Sequence, residues 1–130
     1  MSRITLSELE EAIRAGWSAE TADKPDDWRP EVPARRQCGA TAVVVRRLLG
    51  GEILLADVLR GGERVARHAW NRLPSGIELD LTADQFGADE TLGDPSVVDV
   101  PPLQRLRPQA AELLESRVRS RLGTTRKEAA

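Results

Sequence analysis

The chain holds one cysteine and one histidine, and their placement suits thiol-dependent acyl transfer. In that chemistry a thiolate attacks a carbonyl, an imidazole moves the proton, and a carboxylate fixes the imidazole in one tautomer. Cys38 opens a predicted helix, His68 lies on a predicted strand and Asp80 on the next. A thiol at a helix N-terminus sits at the positive end of the dipole. That position lowers its pKa, and a neighbouring imidazolium lowers it further. The unpaired N–H of Cys38 can help to hold an oxyanion, Gln37 can add a side-chain amide donor, and Gly39 keeps the helix start uncrowded.

Each of these residues also has a purely structural reading. A single cysteine is commonly an inert buried thiol, and a single histidine commonly a surface or hydrogen-bonded core residue. Asp80 is more telling, because a carboxylate between Leu79 and Leu81 needs a partner; Arg67 and Arg72 are the alternatives to His68. Asn71 is a rival orienting group, but in a regular strand it faces away from His68. Trp28, Trp70 and Asn71 are the candidate pocket residues, with plain packing as the competing role for both tryptophans. One Cys, one His and one Asp do not make a closed zinc set. Gly50-Gly51 and Gly61-Gly62 read as caps and turns rather than a phosphate cradle. No cofactor is expected.

The elements that must position these groups follow from pattern. Residues 5–17 predict a helix, with Thr5 and Glu8 as a capping box and Leu6, Leu9, Ile13 and Trp17 at helical spacing. Residues 18–36 predict an irregular loop with Pro25, Pro30 and Pro33. It leads into Cys38 and is expected to form one wall of the cleft. Residues 38–49 predict a helix apolar on nearly every side, hence buried. Its three consecutive valines make a strand the competing assignment. Strands are predicted over 52–59, 64–73 and 77–82, with a turn at Gly61-Gly62 and a hairpin at Pro74-Ser75-Gly76. A three-residue turn pairs Leu73 with Ile77, Trp70 with Asp80 and His68 with Thr82. His68, Trp70, Asp80 and Thr82 then share one face, and His68 and Asp80 are diagonal neighbours about 7–8 Å apart at Cα. Residues 83–102 predict a loop, 103–122 an amphipathic helix and 123–130 a frayed tail.

Bulk properties narrow the field. A chain of 130 residues makes one domain, taken as 1–122 plus the tail. A net charge of -2 and an aromatic content of 3% argue against a nucleic-acid surface or a stacking platform. The Arg-rich last helix reads as a solvated face. No apolar run can span a bilayer. Glu8, Glu10 and Glu11 stand where an export signal would be apolar. One free thiol fits a reducing cytoplasm. Neither membrane nor nucleic acid is an expected partner.

Gln37-Cys38-Gly39-Ala40-Thr41-Ala42-Val43-Val44-Val45 is followed by Gly50-Gly51-Glu52-Ile53-Leu54 and then by His68-Ala69-Trp70-Asn71-Arg72-Leu73. Gly76-Ile77-Glu78-Leu79-Asp80-Leu81-Thr82 and Gln85-Phe86 complete the series. With Trp17-Ser18-Ala19-Glu20-Thr21 and Trp28 upstream, these blocks resemble the YunG-like family of small bacterial proteins over roughly residues 10–86. The order Cys, His, Asp is also similar to the transglutaminase-like branch of the papain-like fold. One departure is Ala69, where that branch commonly has an aromatic. The resemblance implies Cys38 as nucleophile, His68 as general base and acid, and Asp80 as orienting group.

The expected fold is therefore α+β, papain-like or transglutaminase-like, with the Cys38 helix packed on a small antiparallel sheet and flanked by helices. The expected function is acyl transfer through an acyl-enzyme: an amide or thioester hydrolase, or an amide-forming acyltransferase or ligase of a biosynthetic pathway. Its substrate would be a small-molecule or peptide acyl group, free or carried on a carrier or protein. The alternatives are a non-catalytic binding module and a subunit whose cleft a protein partner completes.

Overall fold

The computed structural model describes residues 4–129, with side chains for 4–102 and 104–123. Helix α1 spans Leu6–Gly16, and its first turn is capped by Thr5 Oγ1, which accepts from the Glu8 N–H at 3.0 Å. Helix α2 spans Cys38–Leu49, and every residue from Cys38 to Val45 is buried. Burial on all sides outweighs the weak helix propensity of Val43, Val44 and Val45, which settles the helix-or-strand question. Arg46 and Arg47 emerge only in the last turn, where cations complement the dipole.

Strands β1 (Glu52–Arg60) and β2 (Glu63–Arg72) form a long antiparallel hairpin with an irregularity between Val58 and Leu59. Strand β3 is only Glu78–Leu79, paired with Asn71 and Arg72. The expected hairpin register holds, with the Leu73 N–H donating to the Ile77 carbonyl at 2.8 Å. The expected strand length does not. The chain leaves the sheet after Leu79, so Thr82 never pairs with His68.

The region expected to be one loop, 83–102, carries two short strands. These are β4 (Glu90–Leu92) and β5 (Ser96–Val98), and both pair with β1. The sheet order is β3-β2-β1-β4, with β5 also on β1. Helix α3 (Pro102–Leu106) and helix α4 (Pro108–Ala129) replace the single helix expected over 103–122. Pro108 lacks the N–H that a continuous helix would need and starts a new one instead. The expected tail is helical through Ala129, and Ala130 lies outside the described residues.

The architecture is thus α+β. Helix α2 lies between the sheet and α4, while α1 packs along α4. Leu9, Ile13, Val44, Val45, Ile53, Leu114 and Val118 form the centre of the core. Leu54, Ala56 and Trp70 make a smaller cluster on the other face of the hairpin. Among the described residues no helix is long and apolar enough to cross a membrane.

The step from α2 into β1 requires Gly51. Its φ is +87°, and a Cβ there would collide with the Arg72 carbonyl oxygen. Gly61, at the hairpin tip, has φ +60° and open space around it. Gly61→Ala is expected to cost about 1–2 kcal/mol, the left-handed penalty alone. Gly51→Ala should cost clearly more, because the carbonyl it meets belongs to a paired strand. Urea unfolding of the two variants measures the difference, and equal losses would contradict it.

Candidate functional site

His68 and Asp80 meet. His68 Nε2 lies 2.7 Å from Asp80 Oδ2, so the partner that Asp80 required is the histidine and not Arg67 or Arg72. The other carboxylate oxygen, Oδ1, accepts from the Thr82 N–H at 3.2 Å and from Thr82 Oγ1 at 3.3 Å. This is an Asx-type turn, and it takes the place of the longer strand. The turn is held from outside by Arg14 of α1, which donates to the Leu81 carbonyl at 3.2 Å and pairs with Asp84 at 3.0 Å.

Gln85 completes the arrangement. Its Nε2 lies 3.0 Å from His68 Nδ1. An amide nitrogen is a donor, so Nδ1 accepts, and the ring proton resides on Nε2, facing the carboxylate. Both imidazole nitrogens are therefore occupied. Trp70 stacks on the ring at a centroid distance of 5.5 Å, and Phe86 meets it edge-on at 4.5 Å. His68 is 1% exposed.

Cys38 stands on the other side of β2. Ala69 and Asn71 face α2, and Asn71 Nδ2 donates to the Ala42 carbonyl at 3.0 Å. By alternation His68 and Trp70 face the opposite way, with His68 across from Ala56 and Trp70 across from Leu54. No hydrogen bond joins Cys38 to His68. Gln85 touches both, because β3 leaves the edge of β2 uncovered at His68 and the 80–86 segment folds over that edge.

Burial pushes the Cys38 thiol up to about 12. The charges of Asp23 and Asp80 push the same way, while the Ala69 backbone and the Gln85 side chain oppose them. The depressed thiol expected at a helix N-terminus is therefore not found. Desolvation of the thiolate outweighs the dipole.

The remaining expected site residues have identifiable work. Gln37 is fully buried. Its Oε1 accepts from Thr21 Oγ1 at 2.7 Å, and its Nε2 donates to the Ser18 carbonyl at 2.9 Å. It ties the 18–21 turn to α2, which replaces the expected role of an oxyanion donor. Trp28 donates to the Pro33 carbonyl at 3.0 Å within its own loop, and Trp70 donates to Glu78 Oε1 at 2.7 Å. Neither tryptophan nor Asn71 lines the cleft.

That cleft, of about 580 Å3, opens beside Cys38 and Gly39 and is walled by Gln85, Phe86, Asp23 and Lys24. The loop before α2 does form a wall, through Asp23, Lys24, Arg35 and Arg36. Two residues here escaped sequence reasoning: Gln85 and Asp23. A Cβ on Gly39 would lie 3.0 Å from Asp23 Oδ1 and 3.0 Å from Gln104 Cγ. The glycine thus admits a carboxylate and an amide close to the helix start. Gln104 Nε2 donates to Asp23 Oδ1 at 2.6 Å, and Gln104 Oε1 is buried without a partner. Burial raises the Asp23 carboxyl above its ordinary range, opposed first by the Gln104 amide and then by Arg36, Arg107 and Lys24. Among the described residues no cluster of His, Cys, Asp and Glu could hold a metal.

Comparison with known proteins places the chain. The YunG protein family model matches residues 5–123, and the chain belongs to that family. An uncharacterized YunG protein of Bacillus subtilis (strain 168) is 32% identical over 76 residues, which cover 58% of each chain. The match thus spans less than two thirds of that relative. No solved structure matches.

Asp23→Asn removes the charge that opposes the thiolate most. The Cys38 thiol is expected to titrate at lower pH in this variant than in the wild type, read from thiolate ultraviolet absorbance. An unchanged titration would show that Asp23 does not act on the thiol.

Proposed function

We propose that this YunG-family chain is a thiol-dependent acyl-transfer enzyme, with Cys38 as nucleophile, His68 as proton carrier and Asp80 as its orienting group. The observation that carries the reading is the continuous side-chain path Asp80–His68–Gln85–Cys38, ending on a cleft. A carboxylate on Nε2 leaves Nδ1 as the acceptor, which is the tautomer a general base needs. In the resting protein Gln85 holds that nitrogen. A bound acyl group that draws the Gln85 amide away frees Nδ1 to take the Cys38 proton around the open edge of β2.

The thiolate then attacks the carbonyl carbon, and the C–N or C–S bond to the leaving group breaks. His68 returns its proton to the departing amine or thiol, and an acyl-enzyme remains. Water resolves it to an acid, and an amine resolves it to a new amide, according to which acceptor the cleft admits. The same proposal includes kinship with transglutaminase-like and papain-like enzymes. Its support is a cysteine that starts a buried helix on an antiparallel sheet, with His68 from β2 of that sheet and Asp80 from the turn that directly follows its neighbour β3. A single free thiol suits a cytoplasmic setting.

A second reading has its own observation. A thiol pushed up to about 12, beside an imidazole with both nitrogens bonded, is what a binding module that no longer reacts would retain. The same holds for a subunit awaiting a partner.

Exposure to p-nitrophenyl acetate, with intact-mass and peptide-mass readout, separates these readings. The enzyme reading expects one acetyl group on Cys38, none in Cys38→Ser, and a rate at least about a hundredfold lower in His68→Ala. Folded wild-type protein that takes up no acetyl group at Cys38 would favour the binding module.

A further inference from the structure

The cleft beside Cys38 is charged in a way that the whole chain is not. The protein has a net charge of -2, yet six cations line the cleft against two carboxylates, Asp23 and Glu90. The cations are Lys24, Arg35, Arg36, Arg60, Arg64 and Arg67. They differ in how well they are already neutralised. Arg35 and Arg36 are bound to Asp27 at 3.0 and 2.7 Å, and Arg60 to Glu90 at 2.8 Å.

Arg64 and Arg67 have no such bond. Arg64 Nη1 lies 3.9 Å and Arg67 Nε 3.8 Å from the same oxygen, Asp57 Oδ1, and neither forms a hydrogen bond. The ammonium of Lys24, which also lines the cleft, makes no hydrogen bond or ion pair among the described residues. Two guanidinium groups that share one carboxylate at long range keep most of their donors free. Such planar forks match a carboxylate or phosphate in paired hydrogen bonds. All three cations face the cleft that contains Cys38, and its volume is that of a small-molecule site.

We propose that the substrate carries an oxyanion, a carboxylate or a phosphate, held by Arg64 and Arg67 together with Lys24, while its acyl carbonyl rests at Cys38. This deepens the acyl-transfer reading and rests on it for the role of Cys38. The anchor accounts for the positive lining of a cleft in an acidic protein. It also supplies binding energy at a distance from the reacting carbon, which can be used to displace Gln85. Asp57 is the ligand's internal stand-in, and an incoming oxyanion replaces it as the partner of both arginines. Because these side chains are about half exposed, the attraction is screened by salt.

The test uses inorganic phosphate and glutarate as separate probes, titrated into the full chain at fixed ionic strength. Binding is followed by NMR on the arginine Nε–H groups and on the backbone amides of Gly39 and Ala69. Saturable shifts are expected with at least one probe, and the probe that binds identifies the anion's source. Affinity should fall about tenfold or more in Arg64→Gln/Arg67→Gln. It should be retained in Cys38→Ala and in Arg105→Gln, an exposed arginine that does not line the cleft. The proposal is overturned if neither probe gives saturable shifts, if the double variant binds as the wild type does, or if Arg105→Gln loses as much. Acetylation of Cys38 without anion binding would sink this inference and keep the enzyme reading. Anion binding without acetylation would keep the oxyanion site and sink the role of Cys38.

Discussion

The site depends on the brevity of β3. Only Asn71 and Arg72 are paired on that side of β2, so from His68 to Trp70 the strand edge is left to whatever folds across it. The chain from Asp80 to Phe86 does so. Asp80 is fixed by its own turn with Thr82 and reaches the imidazole; Gln85 comes down at the edge, where the two faces of β2 can be bridged. A regular strand through Thr82 would have covered this edge and kept the helix face and the hairpin face apart. The ion pair from Arg14 to Asp84 anchors the segment to α1, so the geometry of the site relies on a helix distant in sequence.

Burial then determines the chemical state of the thiol. Helix α2 is enclosed by the sheet and α4, and its N-terminal residue is enclosed with it. The dipole of a helix end stabilises a thiolate modestly, whereas loss of water destabilises it by more, and two carboxylates add to the penalty. Cys38 thus rests as a neutral thiol. On the acyl-transfer reading this protects the only cysteine until a substrate rearranges Gln85, and the proton then leaves for an imidazole already oriented by Asp80. A cationic cleft adds a reason for selectivity, since an anionic substrate would be drawn to the same cleft that holds the protected thiol.

Much of this fold was legible in local pattern. The buried helix, the hairpin register from Leu73 and Ile77, and the pairing of His68 with Asp80 all follow from alternation and turn chemistry over short distances. The failures have physical reasons. Asp80 and Thr82 prefer a side-chain turn to strand pairing, which periodicity does not register. Strands β4 and β5 are three residues each and exist because β1 offers them an edge. Gln37 reads as a free donor in the sequence because its partners, Thr21 and Ser18, lie far back along the chain. Gln85 and Asp23 left only faint traces: a glutamine beside Phe86 in a loop, and an acidic residue opposite a glycine whose missing side chain admits it.

The central claim is that Gln85 stands between a neutral Cys38 thiol and an oriented His68. The pH dependence of Cys38 alkylation by iodoacetamide tests it in the wild type, Gln85→Ala and Gln85→Ala/His68→Ala. The account predicts a wild-type midpoint well above the ordinary thiol value of about 8.5. It also predicts that Gln85→Ala titrates below the double variant, because the freed Nδ1 then takes the thiol proton and the resulting imidazolium stabilises the thiolate. A wild-type midpoint at or below the ordinary value would contradict the account, as would single and double variants that titrate alike.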